Sequence, residues 1–314
     1  MERQDSEPIE IERALPQHLG AALWLATGGR SRHVNRGRVT ALLAAEKAGK
    51  LSFDGLITAT NRTRVIGAIW CLNQPGKIAT IWGPGLIPGV PDTLADQLIE
   101  RSLKFAQQSG SQLLQSLIGP ENPKAGEHLV RLGFQQVTRL DQLHAFPDAL
   151  EAVPPSIELT FSTCEDFRSP AFEQLVINTY EGSLDCPEID GLRQIQDVLT
   201  GYHATSGHST EHWYLAQQAG ETIGVTILAH HTANHQLELI YFGLLPPFRQ
   251  RGLGKEILRH ILHLANHLGC HSILTGVDQR NTPAMALYHQ FGFVPSDSKE
   301  LFLLPLPPLN VAVA

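Results

Sequence analysis

Leu239-Ile-Tyr-Phe-Gly-Leu-Leu-Pro-Pro-Phe-Arg-Gln-Arg-Gly-Leu-Gly-Lys255 is the stretch from which the rest of the chain can be read. Its opening apolar and aromatic run predicts a buried strand, and Pro246 and Pro247 end it. A helix should start next, because Ile257, Leu258, Ile261, Leu262, Ala265 and Leu268 repeat at helical spacing up to Gly269. A strand, a glycine-bearing turn and a helix N-terminus together make an anion site. Gly252 and Gly254 allow close backbone approach, the first-turn N–H groups lack partners, and Arg249, Arg251 and Lys255 add positive charge. The stretch therefore reads as a cradle for a pyrophosphate.

The spacing of the glycines separates the families that build such cradles. A Walker loop needs Ser or Thr after Gly-Lys, and Glu256 stands there. A dinucleotide fingerprint needs three glycines, and two are present. Arg249-Gln-Arg-Gly-Leu-Gly254 after a strand instead resembles the acetyl-CoA motif Arg/Gln-x-x-Gly-x-Gly/Ala of the GNAT (Gcn5-related) N-acetyltransferases. A second match follows a strand-like Ser272-Ile-Leu-Thr-Gly-Val277. Asn281-Thr-Pro-Ala-Met-Ala-Leu-Tyr288, then Gly292-Phe293, resembles the later half of the same family's core. Thr282 and Pro283 suit a helix start there.

Read in order, the first half predicts a strand at 9–13 and helices around 18–27 and 35–48. A hairpin follows at 55–60 and 65–72, then a strand at 79–82 and a helix at 93–108. A strand at 113–118, a helix at 123–132 and a strand at 134–137 complete this half. Ala149-Leu-Glu-Ala-Val-Pro-Pro155 reads as a linker. The succession then repeats, with a strand at 156–161, a helix at 165–180 and a hairpin at 212–216 and 223–230. A shift of 159 residues brings Gly110, Asn122, Ala125 and Gly133-Phe134 onto Gly269, Asn281, Ala284 and Gly292-Phe293. The same shift turns Arg249, Arg251, Gly252, Gly254 and Tyr288 into Val90, Asp92, Thr93, Ala95 and Leu129. The expected architecture is mixed α/β (α+β): two tandem GNAT-like domains, each a twisted mixed sheet flanked by helices. Residues 1–150 would be a degenerate copy, 156–304 the catalytic domain and 305–314 a tail. The tandem arrangement is similar to that of mycothiol synthase.

Composition narrows the function. A formal charge of −7 argues against a nucleic-acid coat and is compatible with a cationic substrate. The four cysteines are widely spaced, as in a reduced cytosolic protein. No apolar run reaches the ~18–20 residues of a membrane span, and Met1-Glu-Arg-Gln-Asp-Ser-Glu7 is unlike an export signal. The expected location is the cytoplasm, with neither membrane nor nucleic acid as partner. The histidines at 230, 231 and 235 and at 260, 263 and 267 form groups, but a solvated face explains them more simply than a metal site, and none is expected.

The GNAT resemblance implies acetyl-CoA as co-substrate and transfer to an amine in a ternary complex, with a small molecule preferred as acceptor. It gives the pantetheine arm to the backbone of Phe242, Gly243 and Leu244. The pyrophosphate falls to Arg249, Gln250, Arg251, Gly252, Leu253, Gly254 and Lys255. Tyr288 would protonate the leaving sulfur, and Glu238, on the fourth strand, would be the general base. Asn281 would bond the cofactor arm or cap its own helix. Glu181 and Asp185, in the polar segment Tyr180–Glu188, are candidates for the amine, or are solvated loop carboxylates. Cys186 could carry an acyl group, but nothing in the sequence sets a base beside it. A non-catalytic acetyl-CoA-binding module and a transferase of longer acyl groups remain as alternatives.

Overall fold

The structure is a computed structural model and describes residues 8–28, 32–147 and 157–307. The linker expected at 149–155 and most of the expected tail lie outside them. Two compact units are formed, one from residues 1–137 and 300–314, the other from Thr138–Lys299.

In the first unit, β1 (Ile9–Arg13), β2 (Leu56–Asn61), β3 (Arg64–Gln74) and β4 (Ile78–Leu86) are successive antiparallel neighbours. β5 (Leu113–Ile118) then runs parallel to β4. α1 (Leu19–Ala26) packs on one face of this sheet, where Ala22, Leu23, Phe53, Leu56 and Trp70 form a core. α2 (Arg32–Lys47) follows α1. α3 (Thr93–Gln108) and α4 (Pro123–Arg131) contribute to the other core. α3 does so because Leu94, Ala95, Leu98, Ile99 and Ala106 recur on one buried face. β3 is covered on both sides, so Val65 to Cys71 are buried without alternation.

The second unit repeats the plan. β7 (Thr160–Thr163), β8 (Trp213–Gln218), β9 (Glu221–His231) and β10 (Gln236–Leu244) are antiparallel neighbours. β11 (Ser272–Asp278) is parallel to β10. α5 (Pro170–Tyr180) and α6 (Ile195–Thr205) pack with Trp213, Val225 and Ile227. α7 (Leu253–His267) and α8 (Thr282–Gln290) supply the other core, with Ile257, Leu258, Ile261, Leu262 and Ala265 at 5% exposure or less. α5 starts at Pro170 rather than 165, because Ser169 caps it by accepting the Phe172 N–H at 3.3 Å.

The sixth place in each sheet is filled from the other half of the sequence. β6 (Gln135–Ala145) follows α4, yet its residues 140–145 pair with β11 in the second unit. β12 (Val294–Pro305) follows α8, yet its residues 300–305 pair with β5 in the first. The boundaries expected at 150 and 304 therefore differ from the compact division, which cuts within both strands. The sequence pattern identified the start of β6 but neither its length nor its partner, and it missed β12. Periodicity marks a strand without naming its neighbour.

Leu301, Phe302 and Leu303 on β12 are 3–4% exposed, and the Phe302 ring lies against Gly126 of α4. Phe302→Ala should cost about 3–5 kcal/mol, read as a lowered midpoint in denaturant unfolding. Ending the chain at 299 should abolish cooperative unfolding of the first unit. An unchanged midpoint in both variants would show that β12 is a dispensable tail.

Candidate active site

β10 and β11 pair only from Gln236–Ser272 to Leu239–Thr275. Beyond a bulge between Leu239 and Tyr241, β10 continues on β9 through Tyr241–Leu244, while β11 continues on β6 through Asp278. The two strands part, and the facing edges of their backbones have no ladder partner. A cavity of about 470 Å³ occupies the gap and reaches the start of α7.

The β10 wall is Leu239 to Leu244. Gly243 is required there: a Cβ would lie 2.5 Å from the Tyr241 hydroxyl and 2.7 Å from Thr179 Cβ. Phe242, Gly243 and Leu244 are thus held on the open edge, where the sequence reading put them. The cradle is formed by Gln250, Gly252, Gly254 and Lys255, which all line the cavity. Gly252 is the N-cap of α7 at φ +81° and offers no capping side chain. The first N–H groups of the helix therefore keep their capacity for an anion. Gly254 packs so closely that a Cβ would stand 3.3 Å from Leu287.

The side chains of three members of the expected cradle are engaged elsewhere. Arg249 lies along the cavity but donates Nε to Leu244 O at 3.0 Å, Nη1 to Glu181 O at 2.6 Å and Nη2 to Thr179 O at 2.9 Å. It straps the last turn of α5, whose carbonyls carry the negative end of the helix dipole, to the end of β10. Arg251 turns away from the cavity, stacking over Phe248 at 5.5 Å and donating to Pro247 O at 3.3 Å. Leu253 is 1% exposed and belongs to the core. Side-chain direction after a tight turn is not legible from spacing, which accounts for all three differences.

Tyr288 on α8 lines the cavity at 6% exposure. Burial pushes its phenol up, against a hydrogen bond with Thr275 that pulls the other way, so the ring stays neutral and protonated. Thr275 sits at the point of divergence and donates to Leu239 O at 3.1 Å. Asn281 caps α8 by accepting the Ala284 N–H at 3.2 Å, lines the cavity and stands beside Asp185. Glu238 lies outside the cavity: it sits opposite Ala229 and Leu274, and its Oε2 is 2.7 Å from His231 Nε2. It precedes the bulge, on the paired part of β10. The side chain of Glu181 is also outside, and that residue contributes its carbonyl to Arg249.

Asp185 does line the cavity, and its Oδ1 accepts the Asp278 N–H at 2.9 Å. Much of the residue is exposed, but its carboxyl end is crowded by protein. Burial pushes that carboxyl above the ordinary aspartate range, with the Asp278 charge adding to the rise and the Asp278 N–H bond and the Asn281 side chain opposing it. Cys186 is buried in the left-handed region at φ 50°, and burial pushes its thiol up, so it is a poor nucleophile.

A brace missed in the sequence holds this loop. The Asp278 side chain is fully buried and accepts from Thr138 Oγ1 at 2.7 Å, Cys186 N at 3.1 Å and Arg280 Nη2 at 2.7 Å. Arg280 also grips Glu188 through two bonds of 2.6 and 2.8 Å. Asp-x-Arg beside Asn281 was the visible half of the signal, but its partner lies 92 residues away. A second feature missed is a cluster of three tyrosines. Tyr180 and Tyr202 hydroxyls are 3.3 Å apart, and Tyr241, stacked on Tyr202, shares a 2.7 Å bond with Thr179.

Among the described residues no group of three or more His, Cys, Asp or Glu could hold a metal, and no helix is long and apolar enough to cross a membrane.

Comparison with known proteins agrees with this geometry. Residues 176–293 match the model of the acetyltransferase (GNAT) family, and the second unit carries a domain of that family. Mycothiol acetyltransferase of Corynebacterium glutamicum (strain R) is 32% identical over 82 residues, 26% of this chain and 28% of that protein's length. The match thus spans little more than a quarter of the relative. The fold of the whole chain is like that of a GCN5-related N-acetyltransferase from Sphaerobacter thermophilus, with a TM-score of 0.65, 15% identity and 98% and 99% of the two chains covered. A tandem GNAT protein from the clavulanic acid biosynthesis pathway gives a TM-score of 0.51 at 16% identity, covering 96% of this chain and 100% of that one.

Asp278 generates a pH test. Its burial would raise the pKa, but bonds from Arg280, Thr138 and the Arg280 and Cys186 N–H groups outweigh this and hold it at about 2. The folded value is below the unfolded ~3.9, so its stabilisation is complete above that value and is lost as pH falls towards 2. The amount is on the order of 2–3 kcal/mol. Asp278→Asn should lower stability at pH 7 and flatten the change between pH 4 and 2, measured by urea unfolding. Equal pH slopes in both proteins would mean that the brace carries no charge-linked stability.

Proposed function

We propose that the second unit transfers an acetyl group from acetyl-CoA to the primary amine of a small molecule, directly and without a covalent enzyme intermediate. The observation that carries this reading is the open edge of β10 leading, within one cavity, to the uncapped start of α7. An extended amide-bearing arm fits an unpaired strand edge, and a pyrophosphate fits a helix N-terminus. Acetyl-CoA has both parts in that order and supplies the acetyl thioester.

Phe242, Gly243 and Leu244 would hold the arm through their backbone. The N–H groups from Gln250 to Gly254, with the Lys255 ammonium, would hold the diphosphate. Tyr288, neutral and buried at the divergence, is suited to give a proton to a departing thiolate. The acceptor's class rests on two supports: the chain's net negative charge, and the local likeness to relatives named mycothiol acetyltransferase.

The first unit lacks the same capacity. Beyond its last parallel pair, Ile81–Ser116, the third residue is Pro84, which has no N–H, where the second unit has Phe242. Gly85 next to it is pressed against the Leu25 carbonyl of α1. In the first turn of α3, Asp96, bonded to His128 and Arg131 at 2.7 Å each, stands where the second unit has Lys255, so a carboxylate replaces a cation beside that helix start.

One observation favours a binding-only alternative: Glu238, the expected base, is outside the cavity. Calorimetry and a thiol-release assay with the full chain separate the readings. One acetyl-CoA should bind per chain, and Gly252→Asp should weaken it by at least about tenfold through charge and backbone strain. Tyr288→Phe should leave affinity within about twofold and lower turnover on the order of 100-fold. Two sites per chain would overturn the assignment of the first unit. Binding without turnover of any amine would favour the binding-only module.

A further inference from the structure

Among the described residues lining the cavity, Asp185 is the single carboxylate. It stands on the loop after α5, facing the backbone of β11 and the start of α8. Its hydrogen-bond donor is the neutral Asp278 N–H, and the neutral Asn281 amide stands beside it. Among the described residues no lysine or arginine pairs with it. Arg280, the nearest arginine along the brace, is engaged by Asp278 and Glu188. The Asp278 N–H fixes the direction of this carboxylate and, being neutral, leaves its charge uncompensated.

Its named neighbours are acidic or neutral. Asp190 and Cys186 share its loop, and Asp278 approaches from β11. Tyr241 of β10, Tyr202 of α6 and Tyr288 of α8 all feel its charge. Of the nearby cations, Arg249 is engaged by three carbonyls, Arg280 by Asp278 and Glu188, and Lys255 stands at the helix start, so the Asp185 carboxylate favours a cationic ligand. The cavity thus has an anion-binding end at Gly252–Lys255 and a cation-binding element at Asp185.

We propose that Asp185 is the amine-binding group of the acceptor site, and that the acceptor enters as an ammonium ion beside Tyr288. This deepens the transferase reading and rests on it. The ammonium donates to Asp185, and its N–H bond then breaks. The proton passes to the carboxylate while the electron pair stays on nitrogen, leaving the neutral amine that acyl transfer requires. The raised affinity of Asp185 for a proton makes it a better acceptor than an ordinary aspartate. The role expected of Glu238 falls to a residue on another element, held by the brace through Asp278.

The test requires no knowledge of the natural acceptor. S-(2-aminoethyl)-CoA and S-(2-hydroxyethyl)-CoA place an ammonium or a hydroxyl at the same distance from sulfur, and calorimetry with the full chain at pH 7.5 compares them. The ammonium form should bind about tenfold tighter or better. Asp185→Asn should remove the preference while leaving the hydroxyl form's affinity within about twofold, which also verifies folding; Asp185→Glu should restore part of it. Equal binding of the two probes by the unaltered protein, or a preference that survives Asp185→Asn, overturns the role of Asp185 and leaves the transferase reading standing. If neither probe binds, both fall.

Discussion

Everything functional in the second unit depends on where β10 stops pairing with β11. After Leu239–Thr275 each strand keeps its outer neighbour and loses its inner one. Backbone donors and acceptors left without partners are costly when enclosed, and a ladder continued by four residues would satisfy them. The bulge between Leu239 and Tyr241 turns β10 away, and Thr275 uses its hydroxyl on Leu239 O at the point of separation. The remaining groups face the cavity, where a ligand's amides can take the place of a strand.

Keeping the strands apart requires reinforcement on both sides. Arg249 ties the end of β10 to the end of α5 through three carbonyls. Asp278 ties the end of β11 to Thr138 of β6 and to the loop after α5 through Cys186 and Arg280. The same loop is therefore anchored at both lips of the opening. Anchors built on charge-assisted bonds to buried groups are strong and directional, so the cavity's shape is set before any ligand arrives.

What could be read in the sequence was local. The strand, the double proline, the glycine turn and the amphipathic helix all lie within thirty residues, and their periodicity and φ requirements are fixed by neighbours in the chain. Gly252 at φ +81° and the buried Ile257–Ile261 face are direct consequences. The misplacements involve partners that only folding brings together. Arg249 reads as a phosphate ligand until Thr179 and Glu181 are brought to it. Glu238 reads as a base until His231 and the bulge are known. The strand β6 looks like the end of its own half and β12 is not marked at all, and nothing in their residues states that they pair with strands from the other half of the sequence.

The duplication supplies an internal comparison. Both units end their parallel pairing early, so both have an inner edge to satisfy, and they do so by opposite means. In the first unit Pro84 removes a donor, Gly85 lets α1 press its Leu25 carbonyl onto the edge, and Asp96 is bonded to His128 and Arg131. At Gly85 that edge is met by α1. In the second unit Phe242 retains its N–H, α7 begins at an uncapped glycine, and the gap is a cavity. An edge closed by side chains and a helix stabilises its unit without a ligand. An edge left open contributes its hydrogen-bonding energy only when something extended and anionic fills it, which converts a defect of packing into binding specificity.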